Sequence, residues 1–426
     1  MASPELPFQK HTLDNGLDVL VHEDRHVPIV AVNVWYHVGS KNERPGRTGF
    51  AHLFEHLMFE GSKNVEEGSF DTLLEAAGAS SNGSTNNDRT NYFIDLPSNA
   101  LELALYLESD RMAYLLETMT PERVDGQRGV VMNERRQSYE NRPYGMASLE
   151  LDRMLWPEAH PYSWPTIGSM DDLAAASHED VAEFFKTYYA PNNASLAIAG
   201  DIDFGRTQAL VEKWFGEIPR GPVVPPIAPP PAVLTDVTRR TLTDRVQLPR
   251  LYLGWLTPRV YAPGDAALDL ASAVLTGGKN SRLYKRLVYD TQIAQDVGAF
   301  QQSGQLGSSF LIVATARPGH TVAEMQQAID EELHLLRREP PDAREIERAV
   351  NQIEASFFRQ MEQVGGFGGK ADRLNAYYVA GGLPDYFAED LARYTSLSAS
   401  DVQSAILRWL PADRRVELIV APEAQP

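Results

Sequence analysis

The chain has 426 residues, more than one ordinary hydrophobic core accommodates, so we expect two domains of about 200 residues each. Its formal net charge of −19, from 39 basic and 58 acidic residues, argues against nucleic acid or an anionic membrane as its main partner. The chain contains no cysteine, which excludes disulfides, thiolate nucleophiles and cysteine-ligated zinc. Any transition-metal site must therefore use His, Asp and Glu.

The first half alternates between strand and helix patterns. Alternating apolar positions, frequent Val and Ile and an Asn15-Gly16 turn signal predict strands near the N-terminus. A helix closed by Gly61 follows, and Pro121 suits the first position of a later helix. In chain order we expect strands within 11–40, a helix over 46–62, strands over 80–97, helices over 100–117 and 121–140, further helices to about 190, and a strand over 193–202.

One clear change in composition divides the chain. Residues 219–234 are rich in proline, and such a segment is extended and semi-rigid, which suits an interdomain linker. No apolar run approaches the length of a membrane helix, so we expect a soluble chain without membrane insertion. The predicted division is a first domain over 1–218, the linker over 219–234 and a second domain over 235–426.

The second half repeats the element order of the first. The repeat is visible in two pairs of similar segments: 251–278 resembles 30–61, and 391–422 resembles 173–201. A single repeat at a spacing of about 220 residues indicates a duplicated domain rather than a solenoid. We predict the α+β class, with two homologous α/β domains joined by the Pro-rich linker, each a mixed, mostly antiparallel sheet with helices packed on it.

The stretch "HLFEH" carries the first chemical signal. On a helix, His52 and His56 lie on one face with Glu55 beside them, so two imidazoles can point at one metal ion. Neutral imidazole is a good zinc ligand, and Glu55 is placed to take a proton from a water molecule. The order His-x-x-Glu-His is the inverted form of a familiar zinc-peptidase helix. The alternative is a pair of core histidines beside an exposed glutamate.

A third ligand is expected on the helix that begins at Pro121. There, Gln127, Val130, Val131 and Glu134 share one face, and the two valines suggest that this face points inward. A buried carboxylate needs a cation, which zinc would supply. We therefore choose Glu134 over the other acids of the segment, which are Glu122, Asp125 and Glu140. The alternative is a solvated charge beside two arginines.

The repeat indicates that only the first half kept these groups. When "HLFEHLMFEG" is aligned with "DLASAVLTGG", Asp269, Ser272 and Ala273 fall near the places of the two histidines and the glutamate. Core packing alone does not require this difference. A single chemical site in the first domain would explain it.

The sequence resembles the pitrilysin/insulinase-type zinc metallopeptidases, most closely the branch with mitochondrial processing peptidase and its short bacterial relatives. The resemblance covers nearly the whole chain through "HLFEHLMFEGS", "VVMNERRQ", "HPYSWPTIGS" and "YYAPNNASLAIAGD". It implies two similar α/β-roll domains, Zn²⁺ held by His52, His56 and Glu134, and Glu55 as the catalytic glutamate. The bacterial cytoplasm and periplasm are both compatible with the sequence.

The resemblance also points to the substrate. "SSNGSTNNDRTNYF" resembles the family's substrate-facing edge strand, which binds an extended peptide by adding it to the sheet. Asn82, Gly83 and Ser84 would lie nearest the scissile bond; the alternative is a polar surface hairpin. The family's supporting glutamate, seven residues before the third ligand, is replaced here by Gln127.

A larger departure concerns the second half. The family uses an Arg and a Tyr to hold the substrate and polarise its carbonyl, and Val288 and Gln295 stand in their places here. Losing both groups would cost orders of magnitude in rate. We predict a zinc endopeptidase subunit that cleaves unfolded peptides together with a homologous non-zinc chain supplying the Arg/Tyr pair, as a heterodimer. The alternatives are a self-sufficient homodimeric peptidase and a non-catalytic structural subunit.

One further segment stands out by composition. "VGGFGGKAD", residues 364–372, is rich in glycine but lacks the spacing of a phosphate-binding loop. A loop that contacts substrate or partner and an ordinary turn both remain open for it.

Overall fold

The computed structural model describes residues 5–423 and divides into two compact units. Each unit is discontinuous in sequence. The first comprises residues up to 135, 164–228 and 358–388; the second comprises 136–163, 229–357 and the residues from 389 onward. Within the described residues, no helix has the length and apolar character needed to cross a membrane. The division of the chain at the Pro-rich segment stays a prediction; residues 219–234 carry no helix or strand.

A six-stranded sheet forms the centre of the first unit. Its strands lie in the order β1-β2-β6-β3-β5-β4, and all neighbours are antiparallel except the parallel pair β2 and β6. The strand bounds are β1 Gln9–Thr12, β2 Asp18–Glu23, β3 Ile29–Tyr36, β4 Ser80–Thr85, β5 Thr90–Pro97 and β6 Ala194–Gly200. Strand β4 therefore stands at one edge of the sheet.

The second unit contains a five-stranded sheet in the order β7-β11-β8-β10-β9. Only β7 and β11 are parallel. The strand bounds are β7 Thr238–Asp244, β8 Arg250–Thr257, β9 Ala294–Gln302, β10 Ser308–Ala316 and β11 Val416–Pro422. This order and these directions match β2-β6-β3-β5-β4 of the first sheet, so the predicted duplication of an α/β domain is confirmed.

Fourteen α-helices cover the two sheets within the described residues. Their bounds are α1 Phe50–Leu57, α2 Ser69–Ala76, α3 Leu101–Thr118, α4 Pro121–Arg135, α5 Met146–Leu155, α6 Met170–Ala175, α7 His178–Tyr188, α8 Phe204–Phe215, α9 Asp265–Thr276, α10 Val322–Arg338, α11 Ala343–Met361, α12 Lys370–Gly381, α13 Phe387–Thr395 and α14 Ala399–Trp409. Short π-helical turns follow α4 and precede β9. The pattern of two helix-covered sheets confirms the predicted fold class.

Two helices explain why the units are discontinuous. Helix α12, from the second half of the sequence, packs on β2, β3 and β6 of the first sheet. Helix α5, from the first half, packs on β8 and β11 of the second, where Leu151 and Leu155 lie in an apolar cluster with Leu418. Burying one such leucine stabilises the fold by about 2 kcal/mol. Each sheet thus takes one of its covering helices from the other half of the chain.

Helix α1 is shorter than the predicted helix over 46–62. Gly49, directly before it, has φ +91°, a left-handed conformation that other residues rarely adopt. The helix ends after Leu57, and the following turn closes at Gly61, whose φ is +88°. The predicted glycine therefore ends the turn, while the helix itself begins later and stops earlier.

Candidate metal centre

Helix α1 is held at its start by a buried acid. The two carboxylate oxygens of Glu43 accept hydrogen bonds from the backbone N–H groups of Gly49 and Ala51, at 2.9 and 2.8 Å. The Glu43 carboxyl oxygens thus satisfy backbone donors that the N-terminus of a helix otherwise leaves free. Burial raises the pKa of Glu43 to about 8. Sequence reasoning missed this residue, because nothing in the local pattern shows that it turns back onto the helix.

Aromatic packing fixes the other side of α1. Phe54 is fully buried, with its ring centroid 5.7 Å from that of Phe185 and 5.0 Å from that of Tyr189. Tyr92, on strand β5, donates a hydrogen bond to the Phe54 carbonyl at 3.3 Å. These contacts lie between the two histidines in sequence, so they set the direction in which His52 and His56 leave the helix.

Helix α4 packs against α1 and carries Glu134. Val131 is fully buried, and the Arg135 guanidinium donates to the Gly168 carbonyl. The assumption that Val130 also points inward was wrong, because its side chain is 46% exposed. Glu134 lies three residues after the buried Val131 on the same helix, and its side chain is 40% exposed. The helix therefore presents this carboxylate beside α1 from the rim of its buried face.

The two helices bring three potential ligands to one point. His56 Nε2 lies 3.2 Å from Glu134 Oε2, and His52 Nε2 lies 3.7 Å from the same oxygen. One ligand atom from each of the three residues lies within 4.8 Å of the other two. Among residues 5–423, this is the one group of three or more His, Asp or Glu side chains that meets this criterion.

The protonation states of the group suit a cation. Burial lowers the pKa of His52 to about 4, so its imidazole is neutral near pH 7. The hydrogen bond with His56 is the main cause that lowers the pKa of Glu134. Two imidazole nitrogens and one carboxylate oxygen are a donor set that fits zinc, with a fourth position left for water or substrate.

Glu55 lies beside this group and does not join it. Burial raises the pKa of Glu55, while the Thr85 hydroxyl and the neighbouring His56 oppose that shift. Its Oε2 atom is buried and has no hydrogen-bond partner among the described residues. A buried acceptor without a donor is costly, which suits a group that receives a proton from a molecule bound at the site.

Strand β4 runs past Glu55. A methyl group at Gly83 would lie 3.3 Å from Glu55 Cγ and 3.1 Å from the Tyr92 ring, closer than most side chains pack. The glycine therefore lets the strand backbone approach the carboxylate. This is the observation that links the predicted strand residues to the predicted metal group.

The hydrogen-bond pattern of the β4–β5 hairpin defines the free edge of β4. The turn closes with Asn86 N–H donating to the Arg89 carbonyl at 3.0 Å. Because antiparallel pairs alternate, Asn82 and Ser84 bond to β5 while the backbone groups of Gly83 point outward. The Gly83 N–H is instead capped by the Asn82 side-chain oxygen at 2.8 Å.

Arg89 supports the strand from the face opposite α1. Its guanidinium donates to the Ser84 carbonyl at 2.8 Å and lies 5.1 Å from the centre of the Trp35 ring. Burial is the main cause that lowers the pKa of the Arg89 guanidinium. Sequence reasoning did not single out Arg89, since an arginine in a polar hairpin has the pattern of an exposed residue.

The side chain of Gln127 is hydrogen-bonded to Glu60 rather than to one of the three potential ligands. Its Nε2 atom donates to Glu60 Oε1 at 2.6 Å. Burial raises the pKa of Glu60, and the charge of His56 opposes that rise. A carboxylate therefore stands beside the glutamine, contributed by the turn after α1. The role of Gln127 as a supporting residue stays a prediction.

The equivalent helix of the second unit carries different chemistry. Helix α9 follows β8 as α1 follows β3, and there Asp269 accepts a hydrogen bond from the Tyr394 hydroxyl at 2.9 Å. Burial raises the pKa of Asp269 to about 7. Ser272 donates to the backbone carbonyl of Asp269. The polar residues at the equivalent position of the second unit thus form hydrogen bonds within that unit.

Family models and curated relatives match most of this chain. The family model described as "Insulinase (Peptidase family M16)" matches residues 18–156, and the model described as "Peptidase M16 inactive domain" matches residues 175–353. The zinc protease PqqE of Helicobacter pylori is 30% identical over 412 residues, covering 94% of this chain and 92% of that protein. A probable mitochondrial-processing peptidase β subunit of Arabidopsis thaliana is 23% identical over 419 residues, covering 94% of this chain and 75% of that protein.

Solved structures also superpose over nearly the whole chain. The crystal structure of a protease from Helicobacter pylori superposes with a TM-score of 0.92 at 27% identity, covering 98% of this chain and all of that one. A putative M16-like peptidase from Alicyclobacillus acidocaldarius superposes with a TM-score of 0.84 at 22% identity, covering 99% of this chain and all of that one, a likeness of fold alone.

Proposed function

Because this chain belongs to peptidase family M16, we propose that it is the zinc-binding subunit of an endopeptidase that cleaves unfolded peptides. The observation that carries the proposal is the convergence of His52, His56 and Glu134, with one ligand atom of each within 4.8 Å of the others. The buried, unpartnered oxygen of Glu55 beside this group supports a catalytic rather than a purely structural metal site.

In the proposed mechanism, His52, His56 and Glu134 would hold Zn²⁺. When bound, zinc supplies a Lewis acid that polarises the scissile carbonyl and activates a water molecule. Glu55 accepts a proton from the attacking water and delivers it to the leaving amine. The raised pKa of Glu55 favours the acceptance of this proton, because a carboxylate that holds a proton more firmly is a stronger base.

Substrate binding is proposed at the outer edge of β4. The outward backbone groups of Gly83 would pair with an extended peptide, as in other cases of strand addition. The Asn82 carboxamide, which caps the Gly83 N–H in the free chain, would be displaced by a substrate carbonyl. Ser84 is held by Arg89, so the strand is in place before the peptide arrives. An unfolded segment fits this mode, since its backbone must be free to pair.

Dependence on a partner rests on the second half of the chain. Val288 packs against the core of the second unit, and Gln295 lies on β9, whereas the family has an Arg and a Tyr at these two places. Without them the chain has a base and metal ligands but lacks the groups that bind the developing charge on the substrate. We propose that a homologous chain without a zinc site supplies them in a heterodimer.

Mixing this chain with a homologous partner tests whether peptide hydrolysis depends on that partner. Hydrolysis of a quenched fluorescent peptide is measured for the zinc-loaded chain alone and after addition of a homologous chain that carries the Arg/Tyr pair. Each oxyanion-stabilising group contributes about 100-fold or more, so the mixture should exceed the single chain by at least that factor. Brisk, chelator-sensitive hydrolysis by the chain alone would favour a self-sufficient, homodimeric peptidase. A mixture that binds no zinc and cleaves nothing would favour a structural subunit.

A further inference from the structure

The glycine-rich loop, residues 364–369, lies in the same compact unit as the metal centre. Gly366 and Gly368 have φ values of +73° and +80°, which strongly favour glycine. The Gly368 N–H donates to Asp372 Oδ2 at 2.8 Å, and the Ala371 N–H donates to the Val364 carbonyl at 3.2 Å. The loop therefore has a defined shape and is anchored to the start of α12.

The loop is pressed onto strand β5. A methyl group at Gly365 would clash with the Asp95 carboxylate, so any other residue there requires a shift of the Asp95 side chain or of the loop. Asp95 lies opposite Ser80 in the β4–β5 pairing. This contact brings the loop to the face of the sheet opposite α1, one strand inside the β4 edge.

The loop leaves the aromatic side chain of Phe367 partly exposed to solvent. Phe367 is 47% exposed, although its ring meets that of Phe93 edge to face with centroids 4.9 Å apart. Phe93 itself is only 8% exposed. Glycines on both sides of Phe367 leave the ring uncovered, and a large apolar side chain kept exposed on an anchored loop is typical of a contact surface.

The position of this pair relates it to the proposed docking strand. Phe93 lies directly opposite Asn82 in the β4–β5 register, so both side chains are on the same face. A peptide paired to β4 would run about 10 Å from β5, the strand on which Phe367 packs through Phe93. Side chains of that peptide would alternate between the Glu55 face and the Phe367 face.

A hydrogen-bond relay ties the loop to the same strand. Asp372 Oδ1 accepts from Asn91 Nδ2 at 3.2 Å, and Asn91 Oδ1 accepts from the Ser84 hydroxyl at 2.7 Å. Trp35 also donates to Asp372, at 2.8 Å. The residue that anchors Gly368 is thus linked to β4 through buried polar groups, which fixes the aromatic pair relative to the docking edge.

We propose that Phe367 and Phe93 form an apolar subsite for a large hydrophobic or aromatic side chain of the bound peptide. This inference rests on the proposed function, because it requires a peptide paired to β4. The subsite receives a side chain on the face opposite α1, at the level of Asn82. Phe367 is a specificity-determining residue in this account and takes no part in the chemical step.

The test measures peptide binding, so it does not depend on turnover. The zinc-loaded Glu55→Gln protein is titrated into fluorescent peptides that carry Phe or Ser at one position at a time, and anisotropy gives Kd. In this background one position should favour Phe by about threefold to tenfold, the range of one aromatic contact. Phe367→Ala should bring that ratio close to one at this position alone, and Phe367→Leu should keep part of it. Tyr289→Ala, which removes a 73% exposed aromatic ring from the second unit, is the matched control and should change no ratio.

Three results would overturn the subsite. They are an unchanged Phe preference in Phe367→Ala, an equal loss of affinity for every peptide, and the absence of any peptide binding, which would also remove β4 as the docking strand. A change in sedimentation with unchanged peptide selectivity would identify the loop as a protein interface instead. If the wild-type chain and its partner fail to cleave peptides while the Phe preference still responds to Phe367, the proposed function fails and the subsite stands.

Discussion

His56 Nε2 lies 3.2 Å from Glu134 Oε2, although the two residues come from separate helices, α1 and α4. A lone contact of this kind between a histidine and a carboxylate is common in proteins. Here His52 Nε2 approaches the same oxygen at 3.7 Å, and Glu55 lies beside the group with a buried, unpartnered oxygen. The arrangement allows the ligand roles of His56 and Glu134 and the proton-accepting role of Glu55 to be tested separately.

Loss of a ligand should release zinc. His56→Ala and Glu134→Gln each remove one of three converging donors, so the zinc Kd should rise by more than the 10- to 100-fold typical of supporting residues. Competition with a chromophoric chelator measures the change. His320→Ala, which removes a side chain that lies 3.5 Å from Glu324 in the second unit, is the control and should bind zinc normally. Full zinc affinity in both ligand variants would show that the metal is held elsewhere.

Methylation of peptide nitrogens tests docking on β4. A strand that pairs with the outer edge uses every second N–H, so N-methylation at alternate positions of a good substrate should raise KM strongly. Methylation at the intervening positions should have little effect. Steady-state kinetics on a series of singly methylated peptides gives the pattern. Uniform sensitivity, or none, would mean that the peptide does not bind as a strand beside Gly83.

Restoring the family's glutamate at position 127 should not improve the site. Gln127 donates to Glu60 at 2.6 Å, so Gln127→Glu would place two carboxylates at that distance and force one to take up a proton. We expect a loss of about 1–3 kcal/mol in the free energy of unfolding at pH 7, measured with urea, and no gain in zinc affinity. The double variant with Glu60→Gln reverses donor and acceptor and should recover stability. A stabilised single variant would refute this pairing.

The sequence predicted the chemical group better than its surroundings. The spacing of His52, Glu55 and His56 was sufficient to predict that these side chains lie near one another, because residues three and four apart share one face of a helix. Glu134 lies close to the two histidines, but it was chosen partly through Val130, which is exposed, and its role as a ligand stays a prediction. A valine on an amphipathic helix is only a statistical sign of burial, whereas the contact itself depends on how α4 packs on α1.

Long-range packing could not be read from local patterns. Asp372 and Asn375, on α12, form buried hydrogen bonds to Trp35 and Asn33 on the first sheet. In the sequence these polar residues look like the solvated side of a helix in the second half. Their true role depends on partners more than 300 positions away, which no periodicity reveals.

The second unit offers a pH test that is independent of the metal. Burial raises the pKa of Asp152 to about 7, from an ordinary value of 3.8. Between about pH 4 and pH 7 the unfolded chain ionises this carboxyl while the folded chain keeps it protonated, so the free energy of unfolding falls as pH rises. Below that window both states are protonated, and above it both are charged.

Asp152→Asn should remove this contribution. The free energy of unfolding of the variant should fall less between pH 4 and pH 7 than that of the wild type, by roughly 1–3 kcal/mol. Urea unfolding across this pH range measures the difference. Asp413→Asn, at a side chain that is 82% exposed, is the matched control and should follow the wild type. Identical pH profiles for wild type and Asp152→Asn would contradict the assignment.

The most direct test of the central claim compares the wild type with Glu55→Gln in one preparation, measuring zinc stoichiometry and peptide hydrolysis together, with the homologous partner present. Gln keeps the size of Glu55 but cannot accept the proton, and its side chain is not among the three proposed ligands. We predict one zinc per chain in both proteins and a loss of at least about 100-fold in kcat in the variant. Unchanged turnover in Glu55→Gln, or a wild type that binds no zinc, would contradict the account.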